Sequence, residues 1–292
     1  MNENDSKTAA EPRFAMSVDV EEHFQVQAFA TLAPRESWPL HPSRVDRNTR
    51  RLLDLFDESG TEATFFTLGC VAKAHPALVR EIVARGHEIA SHGMDHRMLT
   101  ELTPEAFRLQ ARDSRSLLED LTGARVLGYR APSYSVGRTT LWAIDELAAS
   151  GYAYDSSIYP IRRRRYGYPE GPVVPALIRG PGGATLPEFP LPTLSFGPIR
   201  LPVLAGAFLR LFPLSLSRFA LDRHRAAARP MVVNVHPWEL DPDQPTIGSS
   251  RRATWTHYAR LDRVEGILRA LLSRATFRSA STRLMELGLL RK

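Results

Sequence analysis

The chain has a single cysteine, Cys70, in 292 residues. No intrachain disulfide can form and no thiolate cluster can hold a metal, so any metal centre must be built from imidazole and carboxylate. Cys70 lies in ATFFTLGC, where a small buried thiol is expected. Long apolar runs are missing too. The nearest approach to a membrane span, Leu201 to Leu216, is broken by Pro202, Arg210 and Pro213 and reads as a buried helix or a pocket lid, with membrane-surface contact the lesser option. The opening MNENDSKTAAEPR carries acids and has no apolar h-region, so no secretory signal is expected. These features predict a cytoplasmic protein, at most peripherally bound to the inner membrane surface. Charge of one sign is scarce: 38 basic against 32 acidic residues leave only +6. Basic and aromatic residues are not interleaved as a nucleic-acid platform requires. The one dense cluster, Arg162-Arg163-Arg164-Arg165, suits phosphates or an anionic glycan but reads more simply as a solvated loop.

Hydrophobic content of 43% against 24% charged residues argues for a packed core over disorder. The length admits one large α/β barrel or two smaller domains. No internal repeat is evident, and the only biased segment is Pro/Gly-rich, from Pro169 to Pro202. Before it, short apolar runs alternate with helical patterns. Strands are predicted at Phe14 to Val20, Ala63 to Leu68, His87 to Ser91, Val126 to Tyr129 and, weakly, Tyr152 to Tyr154. The helices between them end at Gly60, Gly86, Gly123 and Gly151, and two open on proline at Pro76 and Thr103-Pro104. A last apolar strand, Met231 to Val235, follows the loop-rich stretch. Repeating strand–helix units of this length predict a parallel sheet, open or closed into a barrel.

Polar residues stand at the C-terminal ends of these strands: Asp19 and Glu21 after the first, His92 after the third, Arg130 after the fourth and His236 after the last. Barrel active sites are built at that face. In SHGMDH, His92 and His96 are spaced to share one side of a helical turn, and neutral imidazoles are good zinc ligands. Nine histidines produce some such pairs by chance, so the spacing alone is unspecific. A carboxylate would complete a three-ligand site with a position left for water. SVDVEE can supply it, because clustered acids at a buried strand end repel unless a cation is present. Asp19 and Glu21 project to one side of an extended segment and Glu22 to the other. One of the first two can bind metal while the other holds the attacking water.

The ordered set SVDVEE, SHGMDH, GYRAPS, YDSSIYP and VNVHPWEL resembles the five motifs of the NodB-type polysaccharide deacetylases (carbohydrate esterase family 4-like). It is most similar to the branch associated with bacterial exopolysaccharide and exosortase loci. The likeness runs from about Phe14 to the C-terminus, with GTEATFF, GHEIASHG and HYARLDRVEGIL adding to it. It implies an α/β fold, a distorted (β/α) barrel of about seven parallel strands. Residues 1–12 would be a flexible N-terminus and 13–292 one barrel domain, with an insertion around 162–230 and a C-terminal extension around 240–292. It implies a divalent metal on Glu21, His92 and His96, zinc by default, with cobalt, nickel or manganese suited to similar ligands. Asp19 would be the general base, paired with Arg130, and His236 the acid, oriented and charged by Asp155. Many relatives have adjacent aspartates where this chain has Asp19-Val20-Glu21. They also carry leucine where it has Asn234, a change expected to affect local packing only. Tyr134, Tyr159 and Trp238 would line the sugar site. The activity implied is removal of an N-acetyl group from a polysaccharide or lipid-linked oligosaccharide in exopolysaccharide or cell-envelope biosynthesis. The alternatives are an allantoinase-like amidohydrolase on the same fold or a non-catalytic glycan-binding protein.

Overall fold

The structure, a computed structural model, describes residues 13–163, 166–197, 199–248 and 250–291. The N-terminus expected to be flexible and two arginines of the basic run, Arg164 and Arg165, lie outside the described residues.

One curled sheet organises the chain. Its strands are β1 (Phe14–Val20), β2 (Thr64–Thr67), β3 (Glu88–Ser91), β4 (Gly128–Tyr129), β5 (Tyr154–Asp155), β6 (Ala176–Arg179), β7 (Thr185–Glu188), β10 (Met231–Val235) and β11 (Phe277–Arg278), while β8 (Thr193–Phe196) and β9 (Ile199–Pro202) form a separate hairpin. The order is β10-β1-β2-β3-β4-β5-β7-β6, with β11 beside β1. Pairings along the path are parallel as far as β7, and β6 returns antiparallel. The path therefore holds the seven parallel strands expected, but it stops short of closure and leaves a half-barrel. The stretch read as an insertion supplies β6 and β7 to this sheet. Their short sequences, ALIR and the proline-containing TLPE, hide them among turn residues.

Helices α1 (Val45–Ser59), α2 (Gly69–Ala74), α3 (Pro76–Ala84), α4 (Pro104–Thr122) and α5 (Trp142–Ala149) cover the convex face. They are followed by α6 (Ala207–Leu211), α7 (Leu214–Ala226), α8 (Arg251–Tyr258), α9 (Val264–Leu272) and α10 (Ala280–Glu286). The predicted stops hold where they are chemical: α4 starts under the Thr103 hydroxyl, which accepts from Ala106 N–H at 3.2 Å, and ends at left-handed Gly123. The apolar run from Leu201 to Leu216 is divided between β9, α6 and α7, and among the described residues no helix is long and apolar enough to cross a membrane.

Period-two alternation along β1 sets the layers inside the curl. Phe14, Met16, Val18 and Val20 join the large core under the helices, while Ala15 packs the concave side with Phe66, Ala90, Tyr154, Phe189, Val232 and Leu284. Above Ala15 on that same side come Ser17, then Asp19, then Glu21. An apolar floor, a buried polar layer and an acidic rim thus follow from one strand's pleat.

Candidate metal and acid–base centre

Glu21, His92 and His96 are all buried, and one ligand atom from each lies within 4.8 Å of the other two. Glu21 Oε2 stands 2.9 Å from His96 Nε2 and 3.9 Å from His92 Nε2. That oxygen has no well-formed hydrogen bond among the described residues despite complete burial. His92 Nδ1 is 2.8 Å from the Arg130 carbonyl, which can only accept, so the proton sits on Nδ1 and Nε2 offers its lone pair. Burial pushes the His92 pKa down to about 4, so the ring is neutral at pH 7. Burial alone would raise Glu21; His96, His236 and His92 outweigh it and hold the carboxylate at about 2. Two imidazoles, that of His92 neutral, and one ionised carboxylate with an orphaned oxygen fit a divalent cation.

The histidine pair is not helical, contrary to the expectation from its spacing. Residues 92–98 form a loop in which Gly93 and His96 take positive φ, 78° and 56°. The loop is clamped from below, since Gly69 and Cys70 N–H donate to the Gly93 and Met94 carbonyls at 2.9 and 2.8 Å. Cys70 itself is half-buried, its Sγ accepting from Gln25. Glu22 turns away from the cluster, as its position in the strand predicts, and accepts from Arg44 and Val45 N–H at the start of α1.

Asp19 is fixed on both oxygens. Arg130 Nη1 donates to Oδ1 at 2.7 Å; Asn234 Nδ2 and the Tyr134 hydroxyl donate to Oδ2 at 3.0 and 3.1 Å. Burial would raise its pKa, but Arg130 overrides that and holds it well below the carboxylate range. Arg130 is fully buried, lies over the Phe66 ring at 4.0 Å, and also donates to Ser17, Asn234 and Ser156. Asn234 is therefore a junction between Asp19, Arg130, Ser17 and Tyr134, not the local packing change expected.

His236 faces Asp19 across the cleft, its Nε2 3.6 Å from Asp19 Oδ2 and 3.8 Å from Glu21 Oε1. Its Nδ1 is 2.9 Å from Glu239 Oε2, so Asp155 is not its partner. Asp155 instead accepts from Ser157 Oγ at 2.5 Å beneath the polar layer and pairs in register with Glu188. The Glu239 carboxylate is reached because Pro237 opens a short 3-10 turn, Pro237–Leu240, which brings the side chain three residues on back to the His236 N–H at 3.1 Å. That His-Pro-x-Glu spacing was the readable signal for Glu239. Its other oxygen accepts from buried Arg210 Nε at 2.9 Å. Burial lowers the His236 pKa, but Glu239, then Glu21 and Asp19, carry it up to about 9.

Of the three aromatic residues expected to line a sugar site, Tyr134 and Tyr159 pack edge to face at 5.7 Å, with Tyr134 bonded to Asp19. Trp238 is buried between the His236 and His257 rings, at 5.1 and 4.1 Å, and donates to Glu21 Oε1 at 3.2 Å. It orients the carboxylate and is not a wall of the cleft.

Residues 40–152 match the sequence profile of the polysaccharide deacetylase family. The chain carries a polysaccharide deacetylase domain. A second profile, a domain of unknown function (DUF3473), matches residues 156–285, which supply His236 and Glu239. Over 110 residues the chain is 36% identical to a peptidoglycan deacetylase-like protein of Gibberella zeae, covering 37% of this chain and 32% of that protein. Over 106 residues it is 35% identical to a chitooligosaccharide deacetylase of Sinorhizobium fredii, covering 36% and 46%. The deacetylase domain thus spans less than half the length of these curated relatives. A structure described as a polysaccharide deacetylase from Mycobacterium smegmatis superposes with a TM-score of 0.63 at 19% identity, over 95% of this chain and 89% of that one. PuuE allantoinase superposes with 0.59 at 17% identity, over 94% and 88%. Both show the shared fold.

Proposed function

We propose that the protein hydrolyses the N-acetyl group of an N-acetylated glycan, releasing acetate and a free amino sugar. The observation that carries this reading is the placement of ionised Asp19 and protonated His236, 3.6 Å apart, beside the Glu21–His92–His96 cluster. Binding alone needs neither a base nor an acid. Glu21, His92 and His96 would hold a divalent cation, zinc by default, which when bound would supply Lewis acidity toward water and the acetyl carbonyl. Asp19 Oδ2 takes the proton of the attacking water, and Arg130 keeps the carboxylate ionised for that step. His236, holding its proton at Nε2 with Glu239 behind Nδ1, donates it to the departing amine nitrogen, which is otherwise a very poor leaving group. Tyr134 offers its ring to the sugar, while Tyr159, expected to line the site as well, is buried behind it. The chitooligosaccharide and peptidoglycan deacetylases among the relatives support an N-acetylglucosamine-containing substrate. The motif set's resemblance to the exopolysaccharide branch supports a role in cell-envelope or exopolysaccharide synthesis.

Metal analysis with an acetate-release assay on N-acetylglucosamine oligomers tests the assignment. His92→Ala is expected to lose bound metal and turnover together. Asp19→Asn is expected to keep the metal while turnover falls by at least 10²-fold, as removal of a general base does. Metal loss in Asp19→Asn would make Asp19 a ligand and overturn the division of roles.

A further inference from the structure

Two arginines of the basic run, Arg162 and Arg163, are exposed on a loop, as the sequence predicts, and also line a cavity. Pro160, Ile161, Arg162, Arg163, Pro169, Arg200 and Pro202 enclose about 330 Å³, room for a sugar-sized group. Arg200 from β9 holds the two rims together, donating through Nη1 to the carbonyls of Pro160 and Pro169 at 3.2 and 2.6 Å. A guanidinium has five N–H donors. Among the described residues Arg200 Nε and Nη2 have no protein acceptor, and none of Arg162, Arg163 and Arg200 enters an ion pair. Arg163 lies over the Phe208 ring at 5.5 Å, which fixes its direction. Glu170, whose charge reaches Arg162, is paired with Arg138 at 2.5 Å. Three guanidinium groups lining one pocket without an ion-paired carboxylate among the described residues favour an anion between them, and their forked N–H donors suit phosphate and carboxylate oxygens.

The cavity begins at Pro160, the residue after buried Tyr159, whose ring meets Tyr134 at 5.7 Å and Phe208 at 6.3 Å, and Tyr134 in turn holds Asp19. A glycan lying over Tyr134 with its acetamide at the metal cluster would extend toward the three arginines. We propose that this pocket is a distal subsite for an anionic group of the substrate, a phosphate or a carboxylate, and that the protein selects an acidic glycan over a neutral one. The proposal rests on the deacetylase reading for its substrate, but the pocket's affinity for an anion can be measured without turnover.

The decisive comparison is wild type against the double variant Arg162→Gln/Arg163→Gln. Both side chains are exposed, so the fold is retained. Calorimetric titration with inorganic pyrophosphate is expected to show binding that weakens at least ten-fold in the double variant. In the acetate assay, three tetrasaccharides of equal length distinguish the sources of charge: neutral, terminally phosphorylated, and hexuronate-bearing. Wild type is expected to favour one or both anionic forms by at least ten-fold in kcat/KM through a lower KM, and the double variant to lose that preference. Equal pyrophosphate affinity in the two proteins, or no anion binding by either, overturns the subsite whether or not the chain proves to be a deacetylase. Arginine-dependent binding to phosphatidylglycerol vesicles with no discrimination among the glycans also overturns it, and would assign the patch to a membrane surface.

Discussion

His236 and Glu239 are three residues apart, and that short-range contact sets the charge of the proposed acid. With burial opposing and Glu239 favouring the imidazolium, His236 keeps its proton until about pH 9. A group raised in this way is a competent donor below its pKa and loses the role as pH rises through it. In Glu239→Gln the amide oxygen can still accept the His236 N–H, but the negative charge is gone while burial remains. The alkaline limb of the kcat profile is therefore expected to move down by more than one pH unit, so that activity at pH 8 falls roughly two-fold or more relative to pH 6. An unmoved limb would show that some other group donates the proton. At this scale the sequence was legible where chemistry is local. Asp19, Glu21, His92, His96 and Arg130 converge as the strand ends predicted. Asp155 and Asn234 were misread because their partners lie across the sheet, 33 and up to 217 positions away, where no spacing rule reaches.

The pairing of β5 with β7 places two buried carboxyls side by side. Asp155 and Glu188 are register partners, both fully buried, and the free oxygens Asp155 Oδ2 and Glu188 Oε2 have only each other to share a proton with. Burial raises Asp155 to about 6, and it raises Glu188 well above its usual range, with Asp155 adding to the effect. A carboxyl raised in the folded state contributes stability that is present below the unfolded value near 3.8 and is lost as pH rises through about 6. Glu188→Gln replaces the shared proton with a permanent N–H donor, and its amide oxygen can still accept from Ile158 N–H. Between pH 4 and 7 the Tm of the wild type is expected to decline relative to this variant by about 3 °C or more, on the scale of 2–4 °C per kcal/mol for a chain of this size. Parallel melting profiles would mean that the pair does not share a proton. This element was also the hardest to read. The boundaries of α4 were marked by Thr103, Pro104 and Gly123, each acting on its own neighbours. By contrast, β7 has four residues including Pro187, and only its pairing with β6 on one side and β5 on the other makes it a strand.

The two profile matches divide the chain near residue 155, but the sheet does not divide there. β1 has partners on both sides, and all seven of its residues are buried. It pairs over five residues with β10 on one side, and on the other its first two residues pair with β11. Arg283 from α10 also donates to the Phe14 carbonyl at 2.9 Å. The proposed site is divided in the same way: Asp19, Glu21, His92, His96 and Arg130 come from the first part, and Asn234, His236 and Glu239 from the second. Cutting after Asp155 would expose one edge of β1 along its length, with unpaired backbone groups beside an apolar face, an arrangement prone to aggregation. Ser17, Arg130 and Asp19 would lose the Asn234 contacts within a site still buried on its other sides. At about 1–3 kcal/mol for each buried polar group left unsatisfied, those losses alone rival the 5–15 kcal/mol that holds a typical domain. Residues 13–155 expressed alone are therefore expected to show no cooperative thermal transition and to remain insoluble or molten, whereas the whole chain melts in a single step. Adding residues 156–291 as a separate chain should restore a cooperative transition if the two parts are halves of one folding unit. A sharp melt from residues 13–155 alone would show instead that the catalytic cluster stands on a domain of its own.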